Sequence, residues 1–249
     1  MLPSCCRHVA IVSRSCRHRA DVIAIGPNGS ARNREAAASR IIAVWVSGRM
    51  AGNTYPPQPL QLGPYAVLVP VKAFAEAKVR LADALAPEAR VTLARTMAAG
   101  VVRAAGFLPV AVVCDDRDVA TWARGLGTLV IWEPGQGLNR AVEDGVRRLA
   151  RLGVRHETVA HADLPLATDL TWVGRFRGVT LVPDRRENGT NVVGVPVDRD
   201  FVFSYGPGSF ARHVAESRRL ALPLRIVRAP GLSWDVDLPT DLGVVSTPV

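Results

Sequence analysis

The sequence predicts an α/β fold over residues 63–249, a mostly parallel sheet with helices on both faces. Two observations predict it. Five short runs are apolar at successive positions rather than at alternate ones, the pattern of strands covered on both faces. Helical stretches separate these runs, and strands that alternate with helices build βαβ units.

"YAVLVPV" at 65–71 is the first strand, and it runs straight into Lys72, Lys78 and Arg80. Like charges gathered at a strand tip repel one another unless something anionic sits among them. "APEARVTLARTMAAGVVRAAG" follows as a helix, with Pro87 and Glu88 in its first turn and Leu93, Met97 and Val101 spaced four apart. "LPVAVVC" at 108–114 is the second strand, and in "CDDRDVA" at least one of Asp115, Asp116 and Asp118 should cap the next helix. "GTLVIW" at 127–132 leads into "EPGQGLNRAV", where Gly135 and Gly137 let the backbone approach a ligand and a helix beginning near Leu138 offers free N–H groups. Leu138, Val142, Val146 and Leu149 stripe one face of that helix, with Arg147 and Arg148 turned outward.

"ETVAHA" at 157–162 brings Asp163 to the point where the sheet stops, and Pro165 fixes the turn after it. "GVTLVP" at 178–183 is the fifth strand, and Asn188-Gly189 beyond it is a hairpin-turn signal. "FSYGPGSFARH" opens a helix that runs through Arg212 and His213. Its first amides and the Ser209 hydroxyl form an anion-binding nest, or, in the plainer reading, Ser209 is an N-cap. "SWDVDLPTDL" supplies Asp235 and Asp237 near the end, although Asp237 and Thr240 would also serve to cap a short last helix.

Composition removes several functional classes. The net charge is +9, but residues 1–49 hold eight arginines against Asp21 and Glu35, which leaves only +3 for the rest. A basic terminal segment is not a groove-binding surface, so no nucleic-acid partner is expected. Residues 1–62 show no sustained period and close with the Pro-rich "NTYPPQPLQLGP". They are expected to be a disordered basic extension; a mis-assigned start, with Met50 the true one, would account for it, and an Arg-rich transit peptide is the lesser alternative. Three of the four cysteines lie in that segment without metal-ligand spacing, so a reducing cytoplasm is the expected location. The apolar run at 41–46 is too short to span a bilayer, and no membrane partner is expected. Oligomeric state is open.

Parallel sheets bind ligands beyond the carboxyl ends of their strands, which makes the residues following each strand the candidates. Lys72, Lys78 and Arg80 suit a triphosphate clamp, in a stretch that contains neither a P-loop nor a dinucleotide fingerprint. Gly137 and Asn139 join them as nucleotide-binding candidates. Asp163 suits a hard divalent cation such as Mg²⁺, which takes one or two carboxylates plus phosphate oxygens, so a second carboxylate should come from elsewhere in the chain. Asp235 and Asp237 are available for that. His161 shares a strand face with Asp163 and reads as a packed histidine rather than a catalyst. No Ser-His-Asp, Cys-His or HExxH arrangement stands out.

The stretches "VPVKAFAEAKVRL", "ADLP", "GTN", "GPGS" and "DVDLPTDL", in that order between about residues 65 and 243, resemble the guanylyltransferases of 2-phospho-L-lactate and phosphoenolpyruvate that serve synthesis of the deazaflavin coenzyme factor 420. The resemblance implies a Rossmann-like nucleotidyltransferase fold and transfer of GMP from GTP to a three-carbon phosphate ester, with release of pyrophosphate. It also implies Mg²⁺ on Asp163 and Asp235, catalytic Lys72, Lys78 and Arg80, and the phosphate ester against Thr190, Gly206 and Ser209. The Ala/Arg-rich composition suggests a GC-rich bacterium, and for bacterial members the resemblance implies phosphoenolpyruvate rather than 2-phospho-L-lactate as acceptor. The wider nucleotidyltransferase superfamily opens with a Gly-rich loop, LxGGxSxRMGxxK, that is missing here, which counts against a molybdenum-cofactor or sugar nucleotidyltransferase. A non-catalytic GTP-binding module is the alternative from another class.

Overall fold

The structure, a computed structural model, describes residues 60–244, so the expectation for the N-terminal extension falls almost wholly outside the described residues. Seven strands form one sheet: β1 (Tyr65–Pro70), β2 (Val110–Cys114), β3 (Leu129–Trp132), β4 (His156–Ala160), β5 (Val179–Pro183), β6 (Thr190–Pro196) and β7 (Leu224–Ile226). Their order is β3-β2-β1-β4-β6-β5-β7. Only β6 runs antiparallel, to both β4 and β5; the other four pairings are parallel. The mostly parallel sheet is therefore present, and each of the five expected strands is found.

Successive residues of β1 pack into opposite layers, which is why the run shows no alternation of polarity. Val67 and Val69 meet one layer with α1 (Pro87–Ala104) and α2 (Arg117–Gly125), through Ala98, Val101, Val119 and Ala123. Leu68 meets the other with α3 (Gly137–Arg151), through Val142, Val146 and Leu149. That contact is close: a Cβ on Gly145 would stand 2.6 Å from Leu68 Cδ2, so α3 carries a glycine there despite its helix-weakening cost. Asp116 caps α2 as expected, its Oδ1 accepting from the Val119 amide at 2.9 Å. The predicted stripe on α3 holds except at its first member. Leu138 is exposed, one turn ahead of the buried face.

α4 (Ser209–Arg219) packs on the same side as α3, and α5 (Pro230–Ser233) is a single turn. β6 and β7 were not foreseen. All seven residues of β6 are buried, but Thr190, Asn191 and Gly194 interrupt its apolar run. β7 has three residues, none fully buried. Among the described residues no helix is long and apolar enough to cross a membrane.

Because β1 to β4 are mutually parallel, their carboxyl ends share one edge of the sheet. After β1 the chain makes two short 3-10 turns, Phe74–Glu76 and Val79–Leu81, instead of entering a helix directly. Phe74 and Leu81 are their buried anchors, and the residues between stay near the surface.

Candidate active site

A cavity of about 420 Å³ opens at that edge. Lys72, Lys78, Arg80, Gly137, Asp163 and Asp237 all line it, so six residues from four separate stretches of sequence converge. Ala94, Met97, Leu138 and Ala141 add apolar wall, a mixture suited to a ligand with a flat base and a charged tail.

Lys78 is the centre of this cluster. Its backbone adopts the left-handed conformation, φ 58°, uncommon for a residue with a side chain. Its Nζ donates to Asp163 Oδ2 at 2.5 Å and to Asp237 Oδ1 at 3.1 Å. Arg80, largely exposed, stands 3.8 Å from Asp237. Burial alone would lower the Lys78 pKa, but the Asp163 and Asp237 charges outweigh it and hold the ammonium above the ordinary lysine value. Burial likewise pushes Asp163 up, and Lys78 and then His161 bring it below the usual carboxylate range.

Asp235 lies beside Asp163. The Val236 amide donates to the Asp163 carbonyl at 3.3 Å, which runs the two segments side by side. Burial, then the Asp163 charge, raises the Asp235 pKa. Asp163 Oδ1 and Asp235 Oδ1 are both buried without a hydrogen-bond partner. Two orphaned carboxylate oxygens on adjacent segments fit a divalent cation, which would satisfy both, although Asp235 itself is not part of the cavity wall. Among the described residues no group of three or more acidic, His or Cys side chains forms a ready cage. The fit is therefore to a cation that completes its shell with phosphate oxygens and water.

The segment carrying Asp235 and Asp237 is fixed by a carboxylate the sequence reading passed over. Asp241 Oδ2 accepts from the amides of Asp237 at 2.9 Å and Leu238 at 2.8 Å, while its Oδ1 meets Arg185 and, at 3.3 Å, Arg186. Burial works against this charge, yet the two amides and Arg185 hold Asp241 at about 2. The alternative in which Asp237 and Thr240 cap the last helix is thus corrected: Asp241 organises this turn, and the Asp237 carboxylate accepts from Lys78 instead. Arg185 also stacks on Trp234, 4.3 Å from its ring centre, and donates to the Asp235 carbonyl at 3.4 Å.

Thr190, Gly206 and Ser209 also come together, but off the cavity wall. The Thr190 amide donates to Ser209 Oγ at 3.0 Å, and His213 Nδ1 lies 3.1 Å from Thr190 Oγ1. His213 Nε2 accepts from the Ser204 amide at 3.0 Å, so a neutral ring must carry its proton on Nδ1 and donate to Thr190. Burial, reinforced by Arg212 and His161, pushes His213 down to about 4 and keeps it neutral. Each hydroxyl thereby accepts from an N–H, and its own hydrogen is left to donate. The nest reading needs correction. The amides of Gly208, Ser209 and Phe210 already donate to Asn188 Oδ1, the Gly206 carbonyl and the Asn188 carbonyl, and the Thr190 amide is taken by Ser209. Gly206, with φ 112° and exposed, is the member of the trio within reach of solvent.

Tyr205 joins the two parts. Its ring lies 4.8 Å from that of His161, which lines the cavity, and 5.1 Å from that of His213. Asn139 stands behind the cavity wall, its Oδ1 accepting from the Tyr205 amide at 2.7 Å. It ties the start of α3 to the loop that bears Gly206.

A family model described as guanylyl transferase, CofC-like, matches residues 65–246. The chain belongs to this family. Among curated relatives, a phosphoenolpyruvate guanylyltransferase of Sphaerobacter thermophilus is 36% identical over 184 residues, covering 70% of this chain and 89% of its own. One of Rubrobacter xylanophilus is also 36% identical, covering 70% and 90%. Among solved structures, a protein of Desulfovibrio desulfuricans assigned to the nucleotide-diphospho-sugar transferases superposes with a TM-score of 0.60 at 15% identity, over 74% of this chain and 87% of its own. A nucleotidyl transferase from Methanothermobacter gives 0.52 at 17% identity, over 73% and 95%. These two share the fold, which is the Rossmann-like nucleotidyltransferase fold that the resemblance implied.

Proposed function

We propose that the chain transfers GMP from GTP to phosphoenolpyruvate, releasing pyrophosphate, as a step in synthesis of the deazaflavin coenzyme factor 420. Family membership and the names of its relatives support the reaction class. The observation that carries it at the level of residues is the meeting of Lys78, Asp163 and Asp237 at the mouth of a cavity, with Asp235 beside them.

Two phosphorylated molecules must be brought together here, and at about 4 Å two unit charges repel by about 4 kcal/mol at an effective dielectric of 20. Lys72, Lys78 and Arg80 would draw the triphosphate to the end of β1. Asp163 and Asp235 would hold Mg²⁺, which when bound supplies charge neutralisation at the transferred phosphorus. The attacking phosphate is already ionised at neutral pH, so its attack requires no general base. In our reading, the Thr190 and Ser209 hydroxyls and the Gly206 backbone shape the pocket for the phosphate ester, and Gly137 lets α3 approach the nucleotide. We place the reaction in the cytoplasm, where buried Cys114 would stay reduced.

The test is incubation of the purified full chain with GTP, Mg²⁺ and a mixture of phosphoenolpyruvate and 2-phospho-L-lactate, with pyrophosphate release and product mass both followed. A guanylylated phosphoenolpyruvate is expected. No pyrophosphate with any three-carbon phosphate ester would reject the reading, and a phospholactate product would correct the acceptor.

A further inference from the structure

Before substrate arrives, the Lys78 ammonium neutralises the carboxylate that a metal would share, holding Asp163 Oδ2 while Oδ1 stays open. It sits 2.5 Å from Asp163 Oδ2 and bridges to Asp237 at 3.1 Å, while Asp163 Oδ1 and Asp235 Oδ1, both buried, have no donor. We infer that Lys78 is an exchangeable counter-ion, neutralising Asp163 and Asp237 until a metal–nucleoside triphosphate complex displaces it from Asp163 and takes it as a phosphate ligand. The inference rests on the reading that a nucleoside triphosphate and a divalent cation meet in this cavity, and it adds an order to their arrival.

Three features argue for exchange rather than a permanent structural ion pair. The backbone at Lys78 is left-handed, unfavourable for a residue with a Cβ, so the ion pair holds a turn that would relax elsewhere. The turns on either side have one buried anchor each, and Val79 and Arg80 between them are exposed, so the segment has little packing to lose by moving. The carboxylates themselves are fixed independently of Lys78, Asp163 at the end of the sheet and Asp237 through its amide on Asp241. Removing the ammonium therefore leaves the metal's oxygens in place.

A free cation arriving alone at the open Asp163 oxygen stands beside the Lys78 ammonium and is repelled by it, with only Asp237 to draw that ammonium away. Arriving with a triphosphate, it brings a partner for the ammonium with it. Nucleotide and metal should consequently strengthen each other's binding, and by linkage the two effects are equal.

The experiment measures Mn²⁺ binding to the purified full chain by electron paramagnetic resonance, with and without GTP and with no phosphate-ester acceptor. Wild type should bind Mn²⁺ weakly alone and about tenfold or more tightly with GTP. Lys78→Met, and Lys78→Gly, which suits the left-handed backbone, should bind Mn²⁺ alone about tenfold tighter than wild type and lose most of the GTP effect. Circular dichroism checks that both variants fold. Lys72→Met removes a charge from the same cavity without touching Asp163, and in the absence of GTP should change Mn²⁺ affinity by less than about twofold. The inference is overturned if wild type binds Mn²⁺ as tightly without GTP as with it. It is equally overturned if the Lys78 variants bind no tighter, or if Lys72→Met matches them. Absence of any GTP binding would instead strike at the guanylyltransferase reading, and the metal-alone comparison would still be readable.

Discussion

At the ends of β1 and β4, Lys78, Asp163 and Asp237 meet as ions around an open cavity, whereas at the start of β6 and α4, Thr190, Ser209 and His213 meet as neutral groups almost wholly buried. Both clusters lie at the sheet's edge, and they handle polarity in opposite ways. Ions facing a cavity can change partners, because water and ligand can replace each contact that breaks. Buried neutral groups cannot, since an unmade hydrogen bond there costs about 1–3 kcal/mol. The first cluster is suited to handling charge that comes and goes; the second is suited to holding a shape. Glu157 belongs with the second. It is fully buried, both oxygens lack a partner, and burial raises its pKa well above the ordinary value.

The largest expected effect falls on the ionic cluster. Asp163→Asn and Asp235→Asn should each cut pyrophosphate release by about a thousandfold or more, the scale of losing a transition-state charge partner, with the circular dichroism spectrum unchanged. If either variant keeps near-normal turnover, that carboxylate is structural and the contrast between the clusters fails.

An intermediate effect tests the neutral cluster. His213 titrates at about 4 in the folded chain against an ordinary 6.5, so between those values the unfolded state binds more protons. Stability should therefore fall as pH drops from about 6.5 to about 4, by an amount on the order of 3 kcal/mol, and level off below. Urea unfolding across that range reads it out, and His213→Gln should flatten the slope there. A slope unchanged in the variant would mean that other groups carry it.

Glu157 gives a smaller effect of the opposite sign. Its folded pKa is raised, so its contribution is intact below about 4.5 and is lost as pH rises. Glu157→Gln should stabilise the chain by about 1–2 kcal/mol at pH 8 and leave it nearly unchanged at pH 4. Equal melting shifts at both pH values would show that Glu157 is not a buried neutral acid.

Much of the ionic cluster was legible in the sequence, because Asp163 and the basic run containing Lys78 come after strands that are themselves easy to read. Asp163 stands just past β4, while Lys78 stands beyond a short turn after β1, and Asp237 follows no strand at all. Less of the neutral cluster was. β6 mixes Thr, Asn and Gly with valines, so its burial is a property of the sheet around it rather than of its own pattern. The amides at the start of α4 looked available, and only the folded chain brings Asn188 and Gly206 onto them. Asp241 and Arg185 are far apart in sequence, and neither has a local signal for the other. Asn139 stands near the Gly-rich turn, yet its partner is Tyr205, brought over from the loop before α4.

The central claim, that Asp163 and Asp235 jointly hold a metal where two phosphorylated substrates meet, is tested most directly by anomalous diffraction from crystals grown with Mn²⁺ and GTP. The account predicts a manganese peak within coordination distance of both Asp163 and Asp235 and of a triphosphate oxygen. A peak bound to the triphosphate but out of reach of these carboxylates would contradict it.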